Sequence, residues 1–520
     1  MNAYEKHTFS NSSGSMPYRL LKPKVVEANK KYPLVIMLHG EGEGIGQPCT
    51  NQNGLNVCNL LWGGKMHLDS IGKYPSYVVF PQTHGGDWKS QVYINLLIGI
   101  LQDLFKTHPI DLDKISIHGL SGGGSGVYLM ASRYPGLFAA ISPHSASEDP
   151  SQASRLEFNP LWTVQGENDT NPRPTVTLSF IDAERNLGHH AIFTYDLSSN
   201  KQRWPNPHTT NGEPIYTLVP NATHVVWPKL YDSPTWLAWM YAQSKKQIVV
   251  IGRRTISPGE TVTLGVSPGF DGYQWSNGAT TNSIKVGSAG TYRVRYLRKS
   301  YFFSGAQVWS DWSDPVTINV SSTQGPLVDA GADSRVSISA GNTRLRGYGT
   351  GNHISYKWTK VSGGNVSISS GNTNTPYISN FQTGTYIFRL TVVDASGKSA
   401  SDDVKLVVYS SSAMIVSVTS DFSDVNSFTR DSLDQLFNSI VLFPNPLTTD
   451  DLKLKFPTTQ TNVEVTIYDH MGIPVYNEKI GQCESGEELI LLLQHLPTEF
   501  YTVKINSDQI SNKTFHLIKK

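Results

Sequence analysis

The chain has 520 residues, with 43 Lys plus Arg against 42 Asp plus Glu and a formal net charge of +1. That length asks for about three to five domains, and the charge balance excludes a protein that grips nucleic acid or an anionic membrane through a basic excess. Charged residues are 16% of the chain, against roughly 25% in an average soluble protein; Gly, Ser, Thr and Asn fill the gap, a composition typical of exported all-β modules.

The N-terminus, MNAYEKHTFS, has no apolar signal core. Either the protein stays inside the cell or its leader lies before this numbering. No run of 18 apolar residues occurs, so no transmembrane helix is expected. Residues 33–38 read as a buried strand that ends at His39-Gly40, before a Gly-rich loop through Gly44. Cys49 and Cys58 follow; they are near enough to pair in an oxidising compartment, or they are two unrelated buried thiols. With Cys483 they make three cysteines, too few for a disulfide framework or a four-cysteine zinc site. A strand at 77–80 and a helical period over 88–105 come next. Strands at 114–118, 137–141 and 161–164 alternate with a helix at 127–133, stopped before Pro135. A last amphipathic helix spans 234–241. This alternation predicts an α/β fold, a mostly parallel sheet with helices on both faces, over residues 1–245.

Past residue 246 the helical period disappears. Short Thr, Val and Tyr runs between Gly, Ser, Asn and Asp clusters predict all-β sandwich modules. A weak repeat supports this: Gly290-Thr291-Tyr292-Arg293-Val294-Arg295 is echoed by Gly384-Thr385-Tyr386-Ile387-Phe388-Arg389, each after an isolated tryptophan, Trp275 and Trp358. One sandwich is expected over 247–321 and another over 325–410. Residues 411–440 are Ser- and Asp-rich and read as a linker, and a small β domain follows over 441–520.

The sharpest chemical signal is Gly119-Leu120-Ser121-Gly122-Gly123, a G-x-S-x-G set between a strand and a helix. A serine hydroxyl becomes a nucleophile only when it is exposed, aimed and paired with a base. Glycines at 119 and 123 relieve the crowding of so tight a turn, and the helix start offers free N–H groups to a developing oxyanion. An acid and then a histidine are needed later in the chain. Asp169, after the strand at 161–164, is the expected acid, with Glu167 and Asp149 as competitors. Among His189, His190, His208 and His224, the last is the expected base, since it sits on the final loop before the final helix. His189 and His190 are expected at a solvent-facing helix end. The oxyanion donors are expected to be the backbone N–H groups of Glu41 and Gly122. Trp88 and Trp227 are candidate substrate-lining aromatics, with ordinary core residues as the alternative for either. No metal or cofactor is needed.

These residues together resemble the α/β-hydrolases, in the branch with feruloyl and acetylxylan esterases and polyhydroxybutyrate depolymerases. The likeness runs over about residues 5–245. It rests on Pro17 to Pro23, the His39-to-Gly44 loop, the Ser121 elbow, Gln165 to Asp169 and His224 to Tyr231. It implies Ser121, Asp169 and His224 as the catalytic residues. The Arg that often follows Gly-Glu in that group is absent. The second sandwich, with Val328 to Asp333, Trp358 and Leu390 to Asp394, looks like a polycystic-kidney-disease (PKD) domain. The tail, with Phe443-Pro444-Asn445-Pro446, Ile467-Tyr468-Asp469, Gly472 and Tyr501, is similar to the sorting domain of the Bacteroidetes type IX secretion system, although Glu499 and Phe500 stand where its late Gly is expected. This implies type IX secretion machinery as a partner, a secreted or cell-surface location, and a leader outside the visible N-terminus. In the first sandwich, Trp309-Ser310-Asp311-Trp312-Ser313 resembles the W-S-x-W-S edge of fibronectin type III domains. Arg293, Arg295 and Arg298 could stack on its tryptophans; the alternative is a sugar platform of Tyr301, Phe302, Trp309 and Trp312.

The resemblance implies a secreted serine carboxylesterase acting on feruloyl or acetyl esters of plant polysaccharide. A serine peptidase or amidase on the same fold, a polyester depolymerase, and a non-catalytic binding or adhesion protein are the rival expectations.

Overall fold

The computed structural model describes residues 3–41, 43, 63–85, 88–170, 173–195, 212–219, 222–299, 308–331, 333–410, 441–443, 451–456, 459–468, 474–484, 488–493, 500–508 and 513–518. Cys49, Cys58, His208, Tyr301, Phe302 and the stretch 411–440 lie outside these residues. The chain divides into two compact units, 1–410 and 411–520.

The first unit opens with a nine-stranded sheet. Its strands are β1 (Glu5–Asn11), β2 (Gly14–Leu21), β3 (Tyr32–Leu38), β4 (Tyr77–Pro81), β5 (Ile110–Leu120), β6 (Ala140–His144), β7 (Trp162–Gly166), β8 (Ile192–Tyr195) and β9 (Ile215–Val219), in the spatial order β1-β2-β4-β3-β5-β6-β7-β9-β8. All neighbours from β4 to β8 are parallel, and the β1–β2 hairpin adds to β4 antiparallel. The helices are α1 (Lys65–Ser70), α2 (Gln91–Thr107), α3 (Gly122–Arg133), α4 (Ala153–Leu156), α5 (Arg173–Asn186), α6 (Trp227–Tyr231) and α7 (Pro234–Ala242).

The period-2 geometry of a strand explains the layering. In β3, Leu34, Ile36 and Leu38 pack with Leu97, Leu101, Val127 and Phe180 of α2, α3 and α5. The intervening Val35 and Met37 pack with Leu230, Trp236 and Trp239 of α6 and α7. A strand buried on both faces reads as a continuous apolar run, as β3 does. The sixth strand begins three residues later than the 137–141 run suggests. Leu137 N–H closes a turn on Tyr134 O (3.1 Å), so the Pro135-Gly136 turn holds Leu137 and Phe138 back, and the first bond to β5 is Ala139 N–H to Ile115 O (2.6 Å).

Two β modules complete this unit. In the first, Trp275 is buried and its Nε1–H donates to Thr281 O (2.8 Å), while Tyr292 Oη donates to Ser288 O (3.2 Å). In the second, buried Trp358 donates to Thr373 O (3.0 Å), and Tyr386 Oη donates to Gln382 O (2.9 Å). The two echoed segments thus carry the same pair of anchors. Arg295 lies 5.1 Å from the ring centre of Trp309 and 5.1 Å from that of Trp312, which gives the stacked ladder. Arg298 turns away to Asp113 of β5 (2.9 and 3.0 Å).

His189 and His190 depart from expectation. His189 is 2% exposed. His190 stacks on Tyr348 of the second module, with ring centres 4.5 Å apart, and pairs with Asp329 at 2.5 Å. The docked module takes the place of solvent at this helix end.

The second unit contains a three-stranded sheet (Val441–Phe443, Asp451–Lys455, Glu488–Leu492) and a four-stranded sheet (Pro474–Cys483, Gln460–Tyr468, Phe500–Asn506, Lys513–Ile518). Leu452, Leu454, Val465, Ile467, Val503 and Ile505 form its core, which also takes in the buried Cys483. Among the described residues no helix is long and apolar enough to cross a membrane.

Candidate active site

The parallel strand β5 ends at Leu120 and α3 begins at Gly122, so Ser121 alone makes the turn. Its backbone has φ 53° and ψ −119°, a conformation that costs a non-glycine residue about 1–3 kcal/mol. Packing holds it there. A Cβ on Gly119 would lie 2.6 Å from Gly123 C, and one on Gly123 would lie 2.2 Å from Leu38 O. Only bare backbone lets β3, β5 and α3 meet so closely. Ser121 N–H donates to His144 O (2.9 Å), which ties the turn to β6.

Ser121 Oγ lies 2.8 Å from His224 Nε2, and His224 Nδ1 lies 3.0 Å from both carboxylate oxygens of Asp169. Burial alone would raise the Asp169 carboxyl. The hydrogen bond from His224, the Thr170 N–H and the Arg173 cation outweigh it and hold the group below its ordinary value. An ionised carboxylate only accepts, so the Nδ1 proton of His224 donates to Asp169 and Nε2 is left to accept from Ser121.

Asp169 has a fully buried side chain, and His224 is 28% exposed. Gln165 Nε2 donates to Asp169 Oδ2, and Thr170 N–H donates to Oδ1 at 2.6 Å. Arg173 Nη1 stands 3.3 Å from Asp169 Oδ1 and 3.4 Å from His224 Nδ1. Both nitrogens are donors, so the Arg173 contact belongs to the carboxylate. Ser145, itself at φ 46°, donates from Oγ to His224 O (2.6 Å) and fixes the histidine loop. Gly166 packs against the same loop: a Cβ there would lie 1.9 Å from Thr223 O.

The loop after β3 comes up beside Ser121. Gly40 N–H donates to Glu43 Oε2 (2.7 Å) and Glu43 N–H to Gly40 O (3.3 Å), which ties Glu43 to Gly40. A Cβ on Gly122 would lie 3.0 Å from Glu41 N, so the two expected oxyanion donors are neighbours. Burial pushes the Glu43 carboxyl up to about 7, and the Gly40 N–H offsets only part of that rise.

The two tryptophans divide. Trp88 is 3% exposed, packs with the α2–α3 core, and donates from Nε1 to His39 O (2.9 Å). It supports the loop from beneath rather than lining an open surface. Trp227 meets the His224 ring edge to face at 5.7 Å. The competing acids point elsewhere: Glu167 pairs with Arg335 (2.9 Å), and Asp149 caps Ser151 N–H (2.9 Å). The sequence reading missed Gln165, Ser145 and Arg173; only Arg173, four residues after Asp169, left a signal. Among the described residues no cluster of His, Cys, Asp and Glu could hold a metal ion. A cavity of about 440 Å³ lies where the α/β region and both β modules meet, and none of the residues that line it belongs to this constellation.

Three family models match the chain: putative esterase over residues 80–213, a PKD domain over 330–408, and the secretion system C-terminal sorting domain over 441–520. The chain therefore carries an esterase-like α/β-hydrolase region, a PKD domain, and a type IX sorting domain that marks it for the secreted or cell-surface compartment. No curated protein matches the chain. Among solved structures it is similar to a thermostable esterase, at 24% identity over 47% of this chain and 64% of that one, with a TM-score of 0.39. The chain thus spans less than two thirds of that esterase. It is also similar to a mutant feruloyl esterase module from Clostridium thermocellum complexed with sinapinate (17% identity, 46% of this chain, 87% of that one, TM-score 0.32). A third is the PKD domain from the KIAA 1837 protein (29% identity, 17% of this chain, 92% of that one, TM-score 0.16).

Proposed function

We propose that the chain is an exported serine carboxylesterase, and that its substrates are feruloyl or acetyl esters on plant polysaccharide. The observation that carries this reading is the unbroken line from Ser121 Oγ through His224 to Asp169, at 2.8 and 3.0 Å. Ser121 Oγ attacks the ester carbonyl carbon while His224 Nε2 takes its proton. The negative oxygen rests on the N–H groups of Glu41 and Gly122. The C–O bond to the alcohol breaks, and His224 returns the proton to the leaving oxygen. Water then gives a proton to His224 and attacks the acyl-serine. Collapse of the second intermediate releases the acid, and Ser121 recovers its proton. Asp169 stays ionised, orients the imidazole and stabilises its charged form. Every step is proton transfer and acyl transfer, so the chain's own residues supply all the groups required.

The test is hydrolysis of p-nitrophenyl acetate and methyl ferulate by the full chain. Ser121→Ala is expected to lower kcat by about 10⁴-fold or more; a variant as active as the parent overturns the reading. The ratio of the two substrates separates acetyl from feruloyl preference. Faster turnover of aminoacyl amides would make it a peptidase, and faster turnover of a polyester film a depolymerase. Polysaccharide binding without any turnover would leave a binding protein.

A further inference from the structure

The loop that carries Asp169 is short and held from several sides. Glu167 N–H donates to Val219 O (3.0 Å), Asn168 N–H to Ala222 O (2.8 Å), and Asp169 N–H to Gly166 O (3.2 Å). Its outward carboxylate, Glu167, is only 11% exposed, because Arg335 of the PKD domain reaches it with Nε at 2.9 Å. Arg335 is aimed from behind. It lies on the strand Ser334–Ser337, which pairs in parallel with the end of Ser399–Tyr409, and its guanidinium sits 4.6 Å from the ring centre of Tyr409.

A second set of contacts grips α5, whose first residue, Arg173, touches Asp169. Arg346 bonds both oxygens of Asp182 (2.9 and 3.2 Å), and Arg185 donates to Gly347 O. The same domain therefore holds the acid loop at residue 167 and the helix that follows it at residues 182 and 185.

We propose that the PKD domain is a positioning element of the active site: Arg335, through Glu167, sets the place of the Asp169 loop and hence of the His224 imidazole. This rests on the reading of Ser121, His224 and Asp169 given above. It assigns to the domain a task separate from any hold on substrate. Arg335 and Glu167 are positioning residues, since neither touches the reacting atoms. A displacement of about 1 Å at such a loop costs up to about 10²-fold in rate.

The experiment uses the full chain and p-nitrophenyl acetate, too small to engage a separate polysaccharide site. Arg335→Ala and Glu167→Gln are each expected to lower kcat about 10-fold with KM within twofold. The double variant should be no slower than either single one, because both remove one ion pair. Arg335→Lys should restore part of the rate, and the rate at which a fluorophosphonate labels Ser121 should fall in step with kcat. If Arg335→Ala unfolds at the assay temperature, Glu167→Gln, which keeps the side chain's shape, decides. Parental kcat in Glu167→Gln, or additive losses in the double variant, overturn the proposal. Ser121→Ala, assayed alongside, tests the esterase reading separately: its retained activity would sink that reading, and its loss beside a normal Glu167→Gln would sink only the positioning role.

Discussion

The acid proposed to serve Ser121 and His224 is picked out by the different neighbours of two carboxylates that lie two residues apart. Asp169 and Glu167 share one loop, yet Asp169 faces His224 at 3.0 Å and Glu167 faces Arg335 at 2.9 Å. Asp169→Asn should lower kcat by about 10⁴-fold, since the amide favours the wrong imidazole tautomer; the rate on p-nitrophenyl acetate, compared with the milder loss in Glu167→Gln, checks the assignment. Ser121 and His224 were legible in the sequence because a motif and a chain order announce them. The supporting groups were not. Ser145 and Gln165 act through single hydrogen bonds that nothing in the local sequence marks. For Trp88 the sequence left pocket and core open, because an aromatic at the edge of a predicted helix reads the same whether it faces a pocket or a sheet; the structure takes it into the core.

Elements show a similar division. The strands β3, β4 and β5 were legible because burial on both faces writes an apolar run. The β1–β2 hairpin was not, for β1 has no buried residue and so carries no hydrophobic period. Close approach of elements makes another prediction. Gly166 ends β7 where a Cβ would sit 1.9 Å from Thr223 O. Gly166→Ala must push the histidine loop away, so it should cost about 1–3 kcal/mol of stability and lower kcat more than it raises KM. Denaturant unfolding and steady-state kinetics measure the two effects separately. The echoed segments share one local bond, a tyrosine hydroxyl on the carbonyl four residues before it, while the two buried tryptophans donate to carbonyls at different distances along the chain.

At the scale of the molecule, the α/β region is stabilised by imidazoles kept neutral. Burial lowers His39 and His189 to about 4, and His67 and His144 to about 3. His67 Nε2 meets Nε2 of His118, a residue of the strand that leads to Ser121, at 3.2 Å. In the unfolded chain each imidazole titrates near 6.5. Below that pH the unfolded state binds more protons, so stability is fully present above about 6.5 and is lost as pH falls toward 3–4. Glu43, raised to about 7, acts in the opposite direction between its unfolded value and 7, as do Glu148, Glu157 and Glu184, which burial also raises, while His108 and His118 are lowered like the four imidazoles. The thermal midpoint should therefore drop between pH 7 and pH 5, and His144→Phe should flatten that slope by up to about 1.4 kcal/mol per pH unit. Asp113, near the start of β5, bears on how the molecule can be taken apart. It is bonded by Arg298 and Tyr296 of the next module, and Lys246 lies 3.5 Å away. Excising the α/β region by cutting after residue 245 would strip all three from a buried carboxylate at the root of the strand whose tip bears Ser121. Scissors belong after residue 410, and shuffling this α/β region onto foreign appendages would mean rebuilding that seam.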